Sequence, residues 1–271
     1  MKLFTLISVT LLAGHGAAFA ADDKAPPGGP QGPQGPRQGW GLGLGVVVSS
    51  AEYAGEDRRV RAVPLISYES DRWFWRGIGG GMHLYRQQGF SLDATLSARL
   101  SGIEKKDFGV RELAARGINR DLLEDRDDSF DLGLAAGWSG DFGKLELGLK
   151  ADVGGASKGY EGTLKYGYPI KLGGGTRITP HVGASLMSKK MANYYYGTLA
   201  AEVARGVVKY EPGNAVTPVI GVDLMHPINR DWMLISGLSY RSLPSKLKDS
   251  PLVEKDTKGS TSLMLAVSRA F

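Results

Sequence analysis

The sequence predicts an all-β chain, closed as an antiparallel transmembrane β-barrel of about twelve strands, with about ten as the alternative. Three observations carry this. Apolar residues recur at every second position through most of the chain after Gly39, the segments so defined run to about ten residues, and aromatic residues gather toward their ends.

Residues 1–20 are set apart first. Lys2, the apolar run Leu3 to Leu12 and the small-residue site Ala18-Phe19-Ala20 form a cleavable secretory signal. The chain has no cysteine, so neither a lipid anchor at the cleavage site nor a disulfide framework is expected. Losing Lys2 with the leader leaves 32 basic residues of the original 33 against 28 acidic ones, too small an excess to argue for nucleic acid as a partner. No later apolar run is long enough for a membrane-spanning helix, so a membrane protein here has to cross with strands.

Residues 21–39 contain "GPQGPQGPR", whose Gly-Pro triplets favour extended polyproline II backbone and offer no apolar face; they form a semi-rigid periplasmic spacer. The barrel is expected over 40–271. In "GWGLGLGVV", Trp40, Leu42, Leu44, Val46 and Val48 share one face with glycines opposite. "SLDATLSARL" sets Leu92, Ala94, Leu96, Ala98 and Leu100 against Asp93, Thr95, Ser97 and Arg99. In "FDLGLAAGWS" Phe130, Leu132, Leu134 and Trp138 oppose Asp131 and Gly133, and "KLELGLKADVG" sets Leu145, Leu147 and Leu149 against Glu146, Lys150 and Asp152. "DWMLISGLSY" places Trp232, Leu234, Leu238 and Tyr240 together. A helix would scatter these charges around its axis, whereas a strand puts them all on one side.

A soluble sandwich would alternate in the same way. Strand length favours the barrel, as does the position of Trp40, Trp138, Trp232, Tyr240 and Phe271 near strand ends, where a bilayer interface takes amphipathic rings. The polar face carries Asp93, Arg99, Glu146, Lys150 and Asp152, which suits a charge-laced lumen. The last strand, "TSLMLAVSRAF", keeps Leu263, Leu265, Val267 and Phe271 in phase and ends on the aromatic that outer-membrane assembly reads; Arg269 interrupts the pattern and is expected to snorkel to the interface.

Candidate strands fall near 40–48, 60–69, 72–85, 89–101, 128–139, 142–154, 160–171, 175–187, 214–226, 231–243 and 260–271. These are eleven, and single-chain bacterial barrels carry even numbers. With Phe271 periplasmic, the short links "PINRD", "KLGGG" and "GDFG" fall on the periplasmic side and the long links 101–127 and 188–213 outside. The odd count therefore traces to the region before residue 128.

Chemistry is sparse. After the leader the histidines are His83, His181 and His226, and no serine stands in a nucleophile-elbow context. "GGGTRIT" lacks the lysine and spacing of a phosphate loop. "LLEDRDDSF" lacks the alternating acids and turn glycine of a calcium loop and reads as a solvated loop or an acid-base lattice. No catalytic, cofactor or metal set is expected. "NYYYG" puts Tyr194, Tyr195 and Tyr196 in an outer link, as a contact strip or as a loop packed over the barrel mouth, with Lys189 and Lys190 placed to meet lipopolysaccharide phosphates.

Six segments in order, "YAG" (53–55), "PLISYES" (64–70), "RDDSFDLGL" (126–134), "YYYG" (194–197), "YEPG" (210–213) and "LPSKLKDSPLV" (243–253), resemble the MipA/OmpV family of outer-membrane proteins. The resemblance runs from Gly39 to the end of the chain and leaves out the spacer. It implies a non-enzymatic barrel in the cell outer membrane, bounded by lipid and lipopolysaccharide, that brings a murein lytic transglycosylase together with a penicillin-binding peptidoglycan synthase. A narrow small-solute channel linked to antibiotic permeability and a surface adhesin are the competing readings.

Overall fold

A computed structural model describes residues 39–271, so the signal peptide and nearly all of the Gly-Pro spacer lie outside the described residues. The chain forms one antiparallel sheet that closes on itself. Its strands are β1 Gly39–Ser49, β2 Arg59–Glu69, β3 Trp73–Arg76, β4 Gly79–Gln87, β5 Phe90–Arg99, β6 Ser129–Gly140, β7 Gly143–Asp152, β8 Tyr160–Gly167, β9 Ile170–Lys171, β10 Arg177–Met187, β11 Ala215–Pro227, β12 Trp232–Ser242 and β13 Gly259–Ala270. Neighbours in sequence pair throughout, and β13 closes onto β1 from Gly41↔Ala270 to Ser49↔Ser262.

β8 and β9 both pair with β10 and make one stave of the wall, so the thirteen segments form a barrel of twelve strands. The break between them has a local cause. Tyr168 donates its N–H to the carbonyl of Pro180, but Pro180 has no N–H to return, and Pro169 follows at once.

The region 72–85, expected as one strand, is two. It folds back at Gly77-Ile78, where Gly77 has φ +61°, a conformation that glycine takes without a Cβ clash. A two-residue turn between aromatic and glycine-rich segments leaves no polar punctuation to read, which is why the odd count arose here. β3 is only four residues long, so it pairs with β2 only at Ser67, Tyr68 and Glu69. From Arg59 to Leu65, β2 has no strand beside it on that flank. Pro64 sits on this free edge, the place in a sheet where a residue without an N–H is tolerated.

Side chains sort as the period of two requires. Leu44 is 64% exposed and Leu42, Val46, Leu96, Leu132, Leu149, Ile220 and Leu265 are all exposed on the outer face. Such a continuous apolar exterior belongs in lipid, not water. Trp40, Trp73, Trp138, Trp232 and Phe271 stand on this face near the end carrying the short turns, and Phe130, Tyr160 and Tyr240 near the end carrying the long links.

The largest apolar core is not between strands. It is built at the long-link end by Tyr53, Ile103, Phe108, Leu113, Ile118, Met191, Tyr195, Tyr196, Leu247 and Leu252 among others. The links that supply it are 50–58, 100–128, 188–214 and 243–258, which include the short helices α1 Val110–Ala114, α2 Lys189–Tyr196, α3 Ala200–Ala204 and α4 Ser245–Lys248. Together they make a lid over one mouth of the barrel.

Candidate functional site

Two polar assemblies occupy the inside of the wall. Near the short-turn end, His83 stacks on Phe74 with ring centroids 4.7 Å apart and is held through both nitrogens. Nδ1 lies 2.6 Å from Asp93 Oδ1 and Nε2 lies 3.2 Å from Glu69 Oε1. Glu69 also accepts from Arg76 at 2.9 Å and Arg86 at 2.7 Å. The ring has no nitrogen left over to act as a base.

Toward the lid, Arg99 reaches across from β5. Its Nη2 meets Asp131 of β6 at 2.7 Å and Glu161 of β8 at 2.8 Å, and Glu161 accepts a further bond from Ser185 of β10. Lys150 of β7 points into the same cluster and donates to Ser97 at 3.4 Å. Every carboxylate here faces a cation, so the charges tie four staves together across the interior instead of lining an open tube.

All five inner charges named from the sequence lie on the inner face. Glu146 pairs with Lys144 at 2.6 Å, at the short-turn end. Asp152 sits at the opposite end of β7 and anchors the turn that follows, accepting from Ser129, from Ser157 Oγ at 2.7 Å and from the N–H groups of Gly155 and Lys158 at 2.9 and 3.0 Å. Asp131 and Glu161 join Arg99, Glu69 joins the His83 group, and Asp223 lies apart with Lys165 and His181. The inner-face parity of "FDLGL" already marks Asp131, but the others lie in segments whose alternation is weaker.

The lid is held by two buried ionic groups. Arg126 makes a two-point contact with Glu202 and also donates to the carbonyls of Tyr194, Glu124 and Gly197. Glu52 accepts from Arg241 and from the Tyr196 hydroxyl, the latter at 2.8 Å. Burial pushes the Glu52 carboxyl up, but Arg241 and these hydrogen bonds more than offset it and hold the group below the ordinary carboxylate range. Burial together with the neighbouring Glu52 pushes the Tyr196 hydroxyl well above its usual value. In "LLEDRDDSF" Asp125, Asp127 and Asp128 are exposed, while Arg126 at its centre is the buried anchor of an acid-base pair and Asp128 accepts from the N–H of Gly102 at 2.8 Å.

The tyrosine run corrects the contact-strip alternative. Residues 189–196 are helix α2, not extended chain, so the three rings do not alternate between two faces. Tyr195 and Tyr196 are buried in the lid core, and Tyr194 is half-buried with its hydroxyl accepting from the N–H of Asp127 at 2.8 Å. This is the loop packed over the mouth. Lys189 and Lys190 remain exposed, and Lys189 lies 3.6 Å from Glu211.

A closed antiparallel wall with an apolar exterior, charged interior, short turns at one end and long packed links at the other defines an outer-membrane β-barrel. Both described chain ends, Gly39 and Phe271, lie with the short turns, which are the periplasmic end. The chain belongs to the MipA family: the family model described as "MltA-interacting protein MipA" matches residues 42–271.

Among curated relatives, the MltA-interacting protein of Escherichia coli K12 is 30% identical over 219 residues, 80% of this chain and 85% of that one. The outer membrane protein OmpV of Vibrio cholerae is 29% identical over 49% of this chain and 51% of its own length. The translocator domain of autotransporter NalP from Neisseria meningitidis aligns with a TM-score of 0.47 at 11% identity, over 86% of this chain and 88% of that one.

Proposed function

We propose that the chain is a non-enzymatic scaffold of the outer membrane that gathers a murein lytic transglycosylase and a penicillin-binding peptidoglycan synthase at its periplasmic rim. The observation that carries this is membership of a family in which a relative, similar over most of both chains, is named for interacting with MltA. The interior supports it: with the outer mouth under a packed lid and the lumen laced by Arg99, the barrel is better built to be held than to be traversed. His83, with both nitrogens engaged, supports a structural use of the most buried histidine. In this reading Trp40, Trp138, Trp232, Tyr240 and Phe271 seat the wall at headgroup level, and Lys189 and Lys190 face lipopolysaccharide.

The test is affinity recovery from the protein's own envelope in mild detergent, with the mature chain beside one lacking Pro26 to Arg37. Recovery of murein hydrolases or synthases supports the scaffold, and their loss with the arm places the contact there. A clean barrel with no murein enzyme in either preparation overturns it.

A further inference from the structure

On the side of the lumen away from Arg99 the wall is not laced. A cavity of about 120 Å³ lies against β8, β10, β11, β12, β13 and β1, lined by Lys165, His181, Asp223, Ser239 and Ser262 together with apolar Val47, Val219 and Met264. Glycines make this space. A Cβ at Gly221 would stand 2.7 Å from His181 Nε2, and one at Gly237 would stand 3.0 Å from Asp223 Oδ1. The imidazole and the carboxylate therefore lie close against the wall, where a side chain at either glycine would crowd them.

The polar groups are only loosely matched to one another. Lys165 Nζ donates to Asp223 Oδ2 at 3.3 Å, longer than the 2.7–2.9 Å usual for a charge-assisted bond. His181 Nδ1 also lies 3.3 Å from Asp223 Oδ2, yet it is not aligned for a hydrogen bond and is left buried without one. The Asp223 side chain keeps 42% of its surface open. A cation, a carboxylate, an unused imidazole nitrogen and hydroxyls face one small space.

We propose that this cavity binds a small zwitterion of α-amino-acid size, with its carboxylate on Lys165 and His181 and its ammonium on Asp223. A simple anion would be repelled by Asp223 and a simple cation by Lys165, whereas a molecule with both charges replaces one long ion pair by two short ones. Size sets the class: an apolar cavity of about 150 Å³ holds benzene, so the space here takes about six non-hydrogen atoms, the size of alanine.

The test is calorimetric titration of the full detergent-solubilised barrel with L-alanine, and with acetate and ethylammonium as its two halves. Saturable alanine binding, at least tenfold tighter than either half-molecule, is expected. Lys165→Gln and Asp223→Asn should each weaken it about tenfold or more, and Gly237→Ala, whose Cβ meets only Asp223 Oδ1 within 4 Å, should weaken it too. Each variant is first shown to keep the heat-modifiable gel shift of a closed barrel, so a folding defect is read separately. No saturable heat with alanine up to its solubility, or acetate binding as tightly as alanine, overturns the proposal.

Discussion

Arg126 and Glu202 meet in a two-point contact of 2.8 and 3.0 Å although 76 residues separate them, and both side chains are essentially shut away from solvent. Three backbone carbonyls complete the guanidinium, and Glu202 also accepts from the N–H groups of Glu124 and Leu199 at 2.8 and 2.7 Å. The pair locks the link 100–128 onto the link 188–214. Removing one partner of such a pair strands the other charge, which typically costs about 3–5 kcal/mol. Glu202→Gln should therefore open the lid while the wall persists. Amide exchange should rise across 103–126 and 189–207 and stay low in β6 and β7; uniform loosening of the strands would contradict this.

The lid should be stable across a plateau of pH with two different edges. Glu52 is held below its ordinary value of 4.5, so its contribution is full above that pH and is lost as pH falls through the lower folded-state value. Tyr196 is shifted the other way from its ordinary value of 10, so its contribution is full below pH 10 and fades as pH rises beyond it. Limited proteolysis of the outer links, scanned over pH, should show resistance from about 5 to 10 and cleavage at both extremes. Glu52→Gln should flatten the acid edge and lower the plateau, because Arg241 keeps no carboxylate partner.

Planar-bilayer recordings of the wild-type barrel should show no unit conductance. The lid covers the outer mouth, and Arg99 ties Asp131 to Glu161 beneath it. Replacing 103–125 by a short Gly-Ser link together with Arg99→Ala should create steps, and these should be cation-selective, since Asp131 and Glu161 then line the path without their partner. Steps in the wild type at the same frequency would refute closure.

The last strand predicts an assembly phenotype. The Phe271 N–H donates to the carbonyl of Trp40 at 2.9 Å, and its ring is 66% exposed on the outer face. Phe271→Ala removes almost no packing, so the unfolding midpoint of the assembled protein should hardly move, while the fraction reaching the heat-modifiable state in cells should fall several-fold. A change in midpoint with normal assembly would show a structural role instead. Arg269, the residue out of phase, places its guanidinium 5.0 Å from the Phe271 ring centroid and 5.9 Å from that of Trp232. Arg269→Leu should thus be tolerated better than Arg269→Glu, which puts a negative charge against two aromatic faces.

What the sequence discloses and what it hides divide along one physical line. Period-two alternation is local, so the strands, their faces and the inner position of Asp93, Arg99, Glu146, Lys150 and Asp152 follow from reading ten residues at a time. The turn at Gly77 escapes because β3 is too short to show a period. The lid escapes because its core draws single residues from four separated links: nothing near Glu202 in "LAAEVARG" announces an arginine at 126, and the helical character of "KKMANYYY" is hidden by three tyrosines that read equally well as strand. The cavity is formed by glycines, and a glycine on an inner face says only that space exists, not what occupies it.

The free flank of β2 has a consequence for the surrounding bilayer. Val60 and Ala62 direct their N–H groups to a side where no strand stands, and in hydrocarbon each unmet group costs several kcal/mol. Lipid chains cannot meet those groups, so this flank of β2 is the place on the wall where headgroups and water are the better neighbours. The barrel is consequently not a featureless cylinder in the plane of the membrane. It has a front, a fixed azimuth marked by the free flank of β2.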